Sequence, residues 1–208
     1  MSTATVDLTT VDAVCRWIAS TPSDDEKLNI QNCVTAASLD WVWMCGKALV
    51  DGESPFVKPV TFDEYYDGPG GSRMFVRNPP LVSITLLTIS GVALAPSTSP
   101  NVTGYVIDNS KKSIAIRGGA GGRGGNRVFC QGVANIHLVS VAGFARTPFD
   151  IQQAVTQMVA ENYKRRQWIG QSSQAMANGA GTVSFRDWAI APDVAKVIDN
   201  YSRNAIVY

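Results

Sequence analysis

Apolar positions recur at helical spacing at both ends of the chain and alternate with polar ones through its middle, which predicts helices, then strands, then helices. Near the N-terminus, Thr9 or Thr10 starts a short helix carrying Val14, Trp17 and Ile18. Ser23 and Glu26 have the spacing of a capping box, in which a hydroxyl and a carboxylate each accept from the other residue's backbone N–H. Ile30, Val34, Ala37, Trp41 and Cys45 then share one face of a second helix that Gly46 is suited to end. These two helices are expected to pack as an antiparallel pair.

Asp51 to Pro59 has the composition of a loop, and from Val60 the period changes to two. Tyr66, Asp67, Gly68, Pro69, Gly70 and Gly71 predict a hairpin turn leading into Met74, Phe75 and Val76. Val82 to Ile89, Tyr105 to Ile107, Ser113 to Arg117 and Arg127 to Val141 are rich in branched or aromatic residues and separated by Gly, Pro, Asn or Ser. The middle of the chain therefore reads as five or six strands.

Val141 to Arg166 carries the strongest local signal, a strand running through a turn into an amphipathic helix. Thr147 is the expected cap, Pro148 fits the first turn, and Asp150 puts negative charge at the positive end of the helix dipole. Ile151, Ala154, Val155, Met158, Val159 and Tyr163 define its buried face. Lys164, Arg165 and Arg166 close the last turn, and the helix extends to about Trp168. Gln171 to Gly181 is small and polar, the pattern of a mobile loop. Thr182 to Phe185 has the pattern of a short strand. Pro192 and Asp193 open a final helix with Val194, Val197, Ile198 and Tyr201, and an apolar tail, Asn204 to Tyr208, follows. The fold class is α+β: a helical bundle built from an N-terminal helix pair (1–50) and C-terminal helices (147–201), an inserted antiparallel β-rich region (60–143), and a tail (202–208).

With 208 residues the chain can fill one core or two small ones. No stretch approaches the ~20 apolar residues of a spanning helix, so no membrane association is expected. The N-terminus lacks a basic segment followed by an apolar one, so synthesis in the cytoplasm is expected. A net charge of +1 gives no bulk attraction for nucleic acid. The four cysteines, Cys15, Cys33, Cys45 and Cys130, form no C-x-x-C pair and read as reduced, mostly buried thiols.

The inventory of reactive groups points away from catalysis. His137 is the single histidine and sits in an alternating run, where it reads as a strand side chain rather than a general base. With Cys130 alone it does not make a zinc site. Asp63, Glu64 and Asp67 read as the solvated side of a hairpin, because Tyr65 and Tyr66 intervene. Gly118 to Gly125 contains a formal G-x-G-x-x-G from Gly119 to Gly124, but dinucleotide binding needs a helix directly after the turn, and Arg127, Val128, Phe129 and Cys130 read as strand. No Gly-Lys-Ser/Thr triplet is present. No enzymatic activity, cofactor or metal is expected.

The chain resembles the head-tail connector family (adaptor, or head-completion, proteins) of tailed double-stranded DNA bacteriophages. The resemblance covers nearly the whole chain. It rests on the N-terminal helix pair, the β-rich insertion beginning near Tyr66-Asp67-Gly68, the strand region from Pro80 to Gly91, and the motif Ala142-Gly143-Phe144. Further matches are the helix with Asp150-Ile151, Ala154 and Tyr163-Lys164-Arg165-Arg166, and the ending Ile169-Gly170 with Pro192 to Tyr201. It implies a virion component made in the host cytoplasm, monomeric alone, that forms a ring, usually a dodecamer, on the portal protein at the head-tail junction. Tail or stopper proteins would then attach, and double-stranded DNA would pass without sequence specificity.

By the same resemblance the C-terminal tail docks on the portal, with Tyr201, Arg203, Ile206, Val207 and Tyr208 as interface candidates. An apolar peptide of this kind can order against a partner that supplies the missing burial. Arg123, Arg127, Lys164, Arg165, Arg166 and Trp168 are candidates for ring or channel contacts, since arginine suits bidentate carboxylate or phosphate recognition. A closed ring requires one face of each subunit to fit a different face of the next. The alternatives are a small nucleotide-binding enzyme using the Gly118 to Gly125 loop, or a DNA-binding module, which would show salt-sensitive DNA affinity.

Overall fold

The computed structural model describes residues 6–118, 128–166, 173–175, 182–184 and 190–202. The chain divides into two units, one comprising Met1–Gly46 and Thr147–Ser202, the other centred on Lys47–Arg146. The first is helical apart from a short hairpin, the second is built of strands, and the fold is mixed α+β.

In the helical unit, α1 (Val11–Ile18) starts where the Thr10 hydroxyl accepts from the Ala13 N–H, and ends on Ala19 in the left-handed region, φ 51°. α2 (Asp24–Met44) begins with the capping box that the sequence predicts: Glu26 N–H donates to Ser23 Oγ and Ser23 N–H to Glu26 Oε2. It ends at Gly46, φ 64°, whose N–H reaches the Trp43 carbonyl. Ile30, Val34, Ala37, Trp41 and Cys45 are all buried as expected. Trp17 is not; it is 49 % exposed, and Val14 alone is buried on α1.

α3 (Phe149–Arg165) lies against α1, α2 and α4 (Pro192–Tyr201), and α1 makes more of its contact with α3 than with α2. The expected cap by Thr147 does not form: Pro148 occupies the N-cap position without a side-chain bond, and Asp150 Oδ1 instead accepts from the Ile151 N–H. The buried face also turns slightly from the expected one. Thr156 and Ala160 are inside, while Met158 and Tyr163 are half-buried. Thr156 is accommodated because its hydroxyl donates to the Gln152 carbonyl at 2.7 Å and shares a 2.6 Å hydrogen bond with that of Thr9. Between α3 and α4, Ser173–Ala175 (β8) pairs with Thr182–Ser184 (β9), so the short strand expected at Thr182 is present and the stretch expected as a mobile loop contributes its partner.

The β unit has two antiparallel sheets. One, in the order β1-β7-β3-β4, comprises Val60–Gly68, Gly132–Ala142, Leu81–Ile89 and Val92–Ala93; the other, β2-β6-β5, comprises Arg73–Phe75, Ser113–Arg117 and Gly104–Ile107. A single core joins them, with Phe62, Leu81, Leu87, Ile136 and Leu138 from the first, Met74 and Ile114 from the second, and Val76 and Phe129 beside them. β7 is the central strand. Its residues from Ile136 to Ala142 alternate strictly between buried and half-buried, as a strand with one core face must.

Tyr66 to Gly71 does not make the expected hairpin. β1 pairs with β7 and β2 with β6, so this turn carries the chain from one sheet to the other. Its glycines are there for clearance and backbone angle: a Cβ on Gly68 would lie 1.7 Å from the Cys130 carbonyl oxygen, and Gly70 has φ 75°. β7 begins at Gly132, not Arg127, and near its start it is irregular. Ala134 adopts φ 48°, its N–H donates to Asp67 Oδ1, and the Asn135 side chain accepts from Gly68 N–H and donates to the Cys130 carbonyl. A side-chain amide thus satisfies backbone groups that the ladder leaves over at the register shift.

Both ends of this unit come together. Phe56 and Phe144 stack with ring centroids 5.9 Å apart, Phe144 N–H donates to the Pro55 carbonyl, and a Cβ on Gly143 would sit 2.6 Å from that same oxygen. The Lys47 ammonium is buried, donating to the carbonyls of Arg77 and Pro79 beside the cis Pro79–Pro80 bond. We predict that Gly68→Ala destabilises the β unit by about 3 kcal/mol, since the clash is with backbone that cannot rotate away; chemical denaturation monitored by β-sheet circular dichroism measures this.

Candidate interaction surface of the helical unit

The side chains at the C-terminal end of α3 are not uniformly available to a partner. Arg166 Nη2 donates to Glu26 Oε1 at 3.0 Å and to the Tyr163 hydroxyl at 2.8 Å, and its guanidinium lies 3.9 Å from the centre of the Tyr163 ring. Tyr163 in turn donates to Glu26 Oε1. One carboxylate therefore closes the capping box of α2 and ties down the end of α3. Its pKa is held below the ordinary glutamate range, first by the Ser23 N–H and then by Arg166 and Tyr163. Lys164 is exposed, whereas Arg165 is half-buried.

Arg165 lines a groove of about 320 Å³ together with Asp40, Trp43, Met44, Met158, Glu161, Asn162, Ile190, Ala191 and Val194. Trp43 is 74 % exposed, the largest apolar side chain left open to this extent among the described residues of the helical unit. The sequence contains the signal for this. Two residues after the buried Trp41, an α-helix has turned by about 200°, so the second tryptophan has to point away from the core.

At the other end of α3, the Tyr201 hydroxyl donates to Asp150, 2.9 Å from Oδ2 and 3.1 Å from Oδ1. Burial and then the adjacent carboxylate push this phenol up to about 12. Fifty-one residues separate the two partners, and nothing in the local sequence pairs them. Of the other candidates, Arg123, Arg127, Trp168, Arg203, Ile206, Val207 and Tyr208 lie outside the described residues. The glycine-rich loop from Gly119 onward does so too, and the next regular element after it is strand β7, not a helix.

In the β unit the acidic residues disperse rather than converge. Asp63 meets His137 Nε2 at 2.7 Å, on the outer face where His137 stacks on Tyr65 at 4.4 Å. Glu64 points to the other side and accepts from the Tyr66 hydroxyl and the Asn78 amide, and Asp67 is used by the Ala134 N–H. Burial raises the Tyr66 phenol strongly. Among the described residues no three His, Cys, Asp or Glu side chains form a group able to hold a metal ion, and all four cysteines are free thiols. No described helix is long and apolar enough to cross a membrane.

No protein-family model and no curated protein sequence matches the chain. Among solved structures, a chain in the neck of a native GTA (gene transfer agent) particle, computed with C12 symmetry, is similar at 14 % identity and a TM-score of 0.49. A chain in the neck of an empty GTA particle, computed with C6 symmetry, is similar at 15 % identity and a TM-score of 0.48. Each likeness spans 97 % of this chain and 92 % of the other.

Two pH effects are expected. A depressed Glu26 pKa stabilises the helices above the ordinary glutamate range, and that contribution is lost as the pH falls through the lowered value. Glu26→Gln, which keeps the cap acceptor, should remove this part of the acid sensitivity in a helical circular-dichroism titration. The raised Tyr201 pKa works in the opposite direction: its contribution is intact below the ordinary tyrosine value and is lost as the pH climbs toward 12. Near-ultraviolet tyrosinate titration should show this late phenol moving to lower pH in Asp150→Asn.

Proposed function

We propose that this chain is a structural, non-enzymatic head-tail connector of a phage-like particle. In this reading it docks as a ring on the portal protein after DNA packaging, extends the channel through which double-stranded DNA passes, and offers tail or stopper proteins their attachment surface. The observation that carries it is the insertion. Helices from the two ends of the chain form one unit and the strands between them form the other, the element order on which the family resemblance rests.

The surface chemistry supports an assembly role. Exposed Trp43 beside a groove floored by Met44, Met158 and Val194 has the composition of a protein contact, where aromatic and methionine side chains are enriched. Acid and base are interleaved on the helical unit, as Asp40, Glu161, Lys164 and Arg165 show, which suits fixing register between neighbouring subunits rather than binding nucleic acid in bulk. The tail 202–208 is the proposed portal anchor. Arg166, read from sequence as a contact residue, contributes indirectly in this scheme by holding the end of α3 on Glu26.

Negative-stain imaging of the protein mixed with the portal of the same particle tests the reading, beside a version ending at Ser202. Rings on the portal with the full chain and none with the shortened one are expected. Rings with both would move the anchor away from the tail, and absence of rings with the full chain would refute the connector role.

A further inference from the structure

α4 is held by Val194 near its start, by Ile198, and by the Tyr201 hydroxyl in its last turn. Ten residues are too few for a helix to persist in water without tertiary support. Its N-cap, Ala191, offers no side-chain bond, and only Val194 and Ile198 are buried. Along α3 the two helices leave a groove of about 150 Å³ lined by polar side chains such as Gln153, Gln157 and Asp193. What closes the far end is the Tyr201 hydroxyl, donated to both oxygens of Asp150 in the first turn of α3. Ser202 then leaves the helix in an extended conformation, its N–H held by the Ile198 carbonyl and its hydroxyl by that of Asp199.

We propose that Tyr201 and Asp150 form a positioning clasp. It fixes the last turn of α4 and so the point from which Arg203–Tyr208 departs, an inference that rests on the connector reading, in which that segment docks on the portal. Tyr201 is then not itself a portal contact, since its hydroxyl is committed internally and its ring is half-buried. A tether leaving from a fixed point presents its binding residues at higher effective concentration, and with less ordering to be done on docking, than one leaving from a frayed helix end. Asp150 suits this role because an acidic side chain in the first turn of a helix is favoured by the dipole.

Hydrogen exchange of the isolated full chain, followed by portal affinity, tests the clasp. Tyr201→Phe removes one oxygen and keeps the ring, and Asp150→Asn removes the charge and keeps the shape. Each should speed exchange of the Ile198 to Ser202 amides about tenfold, the effect of losing one hydrogen bond to a charged group, while α2 amides stay unchanged. Tyr163→Phe, which removes a hydroxyl elsewhere in the same unit, should leave those amides as they are. Portal affinity of the two clasp variants should fall by a similar factor. Unchanged exchange in Tyr201→Phe would overturn the clasp. Faster exchange with undiminished portal affinity would overturn its positioning role. If the wild-type chain itself failed to bind the portal, the connector reading would fall while the exchange result stood.

Discussion

The helical unit depends on burying one face of α3. Ile151, Val155 and Val159 are fully enclosed there, and burying an aliphatic side chain of this size stabilises by about 1.5–3 kcal/mol. α1, with eight residues, and α4, with ten, are each too short to stand alone, so both acquire their structure by lying on α3. Just before α1, two buried polar pairs hold the chain, Thr9 with Thr156 of α3 and the Leu8 N–H with Ser38 of α2. Such pairs fix register more sharply than methyl groups can, because sliding by one turn would leave the Thr9 hydroxyl and the Leu8 N–H without a partner in an apolar setting.

In the β unit the corresponding element is β7. It takes β1 on one side and β3 on the other, with register shifts in both ladders, and the one against β1 is absorbed by specific side chains. Asn135 and Asp67 do this near the start of the strand. On the outer face, Tyr65 and His137 lie opposite one another and stack, with Asp63 reaching the imidazole from the same strand as Tyr65. The histidine that the sequence presents as a strand side chain is thereby part of a cross-strand pair.

What the sequence made legible was the set of features governed by neighbours within four or five residues. The capping box of Ser23 and Glu26, the apolar face from Ile30 to Cys45, and the strand Ser113–Arg117 follow from local spacing and are present. The turn at Tyr66 to Gly71 was legible as a turn, yet its glycines carry no information about which strand comes next to β1. That choice is made by burial of Ile136 and Leu138, some seventy residues on. The candidate surface was less legible for the same reason. The pairing of Arg166 with Glu26 joins residues 140 positions apart, and the bond from Tyr201 to Asp150 depends on how α4 lies on α3. The exposure of Trp43 was available from helical phase alone.

The stapled ends of the β unit bear on the order in which the chain can fold. Closing α2 onto α3 through an unstructured connection of roughly a hundred residues costs about 2 kcal/mol more than closing it through a dozen. Once Phe144 is stacked on Phe56 and bonded to Pro55, only the short runs from Lys47 to Pro55 and from Phe144 to Thr147 remain as connection. A β unit that forms first therefore delivers the two halves of the helical unit to each other as though they were joined by a tight loop. Any other insert whose ends met equally closely would serve the helices as well, leaving the strands free to diverge in sequence without cost to the scaffold that carries them.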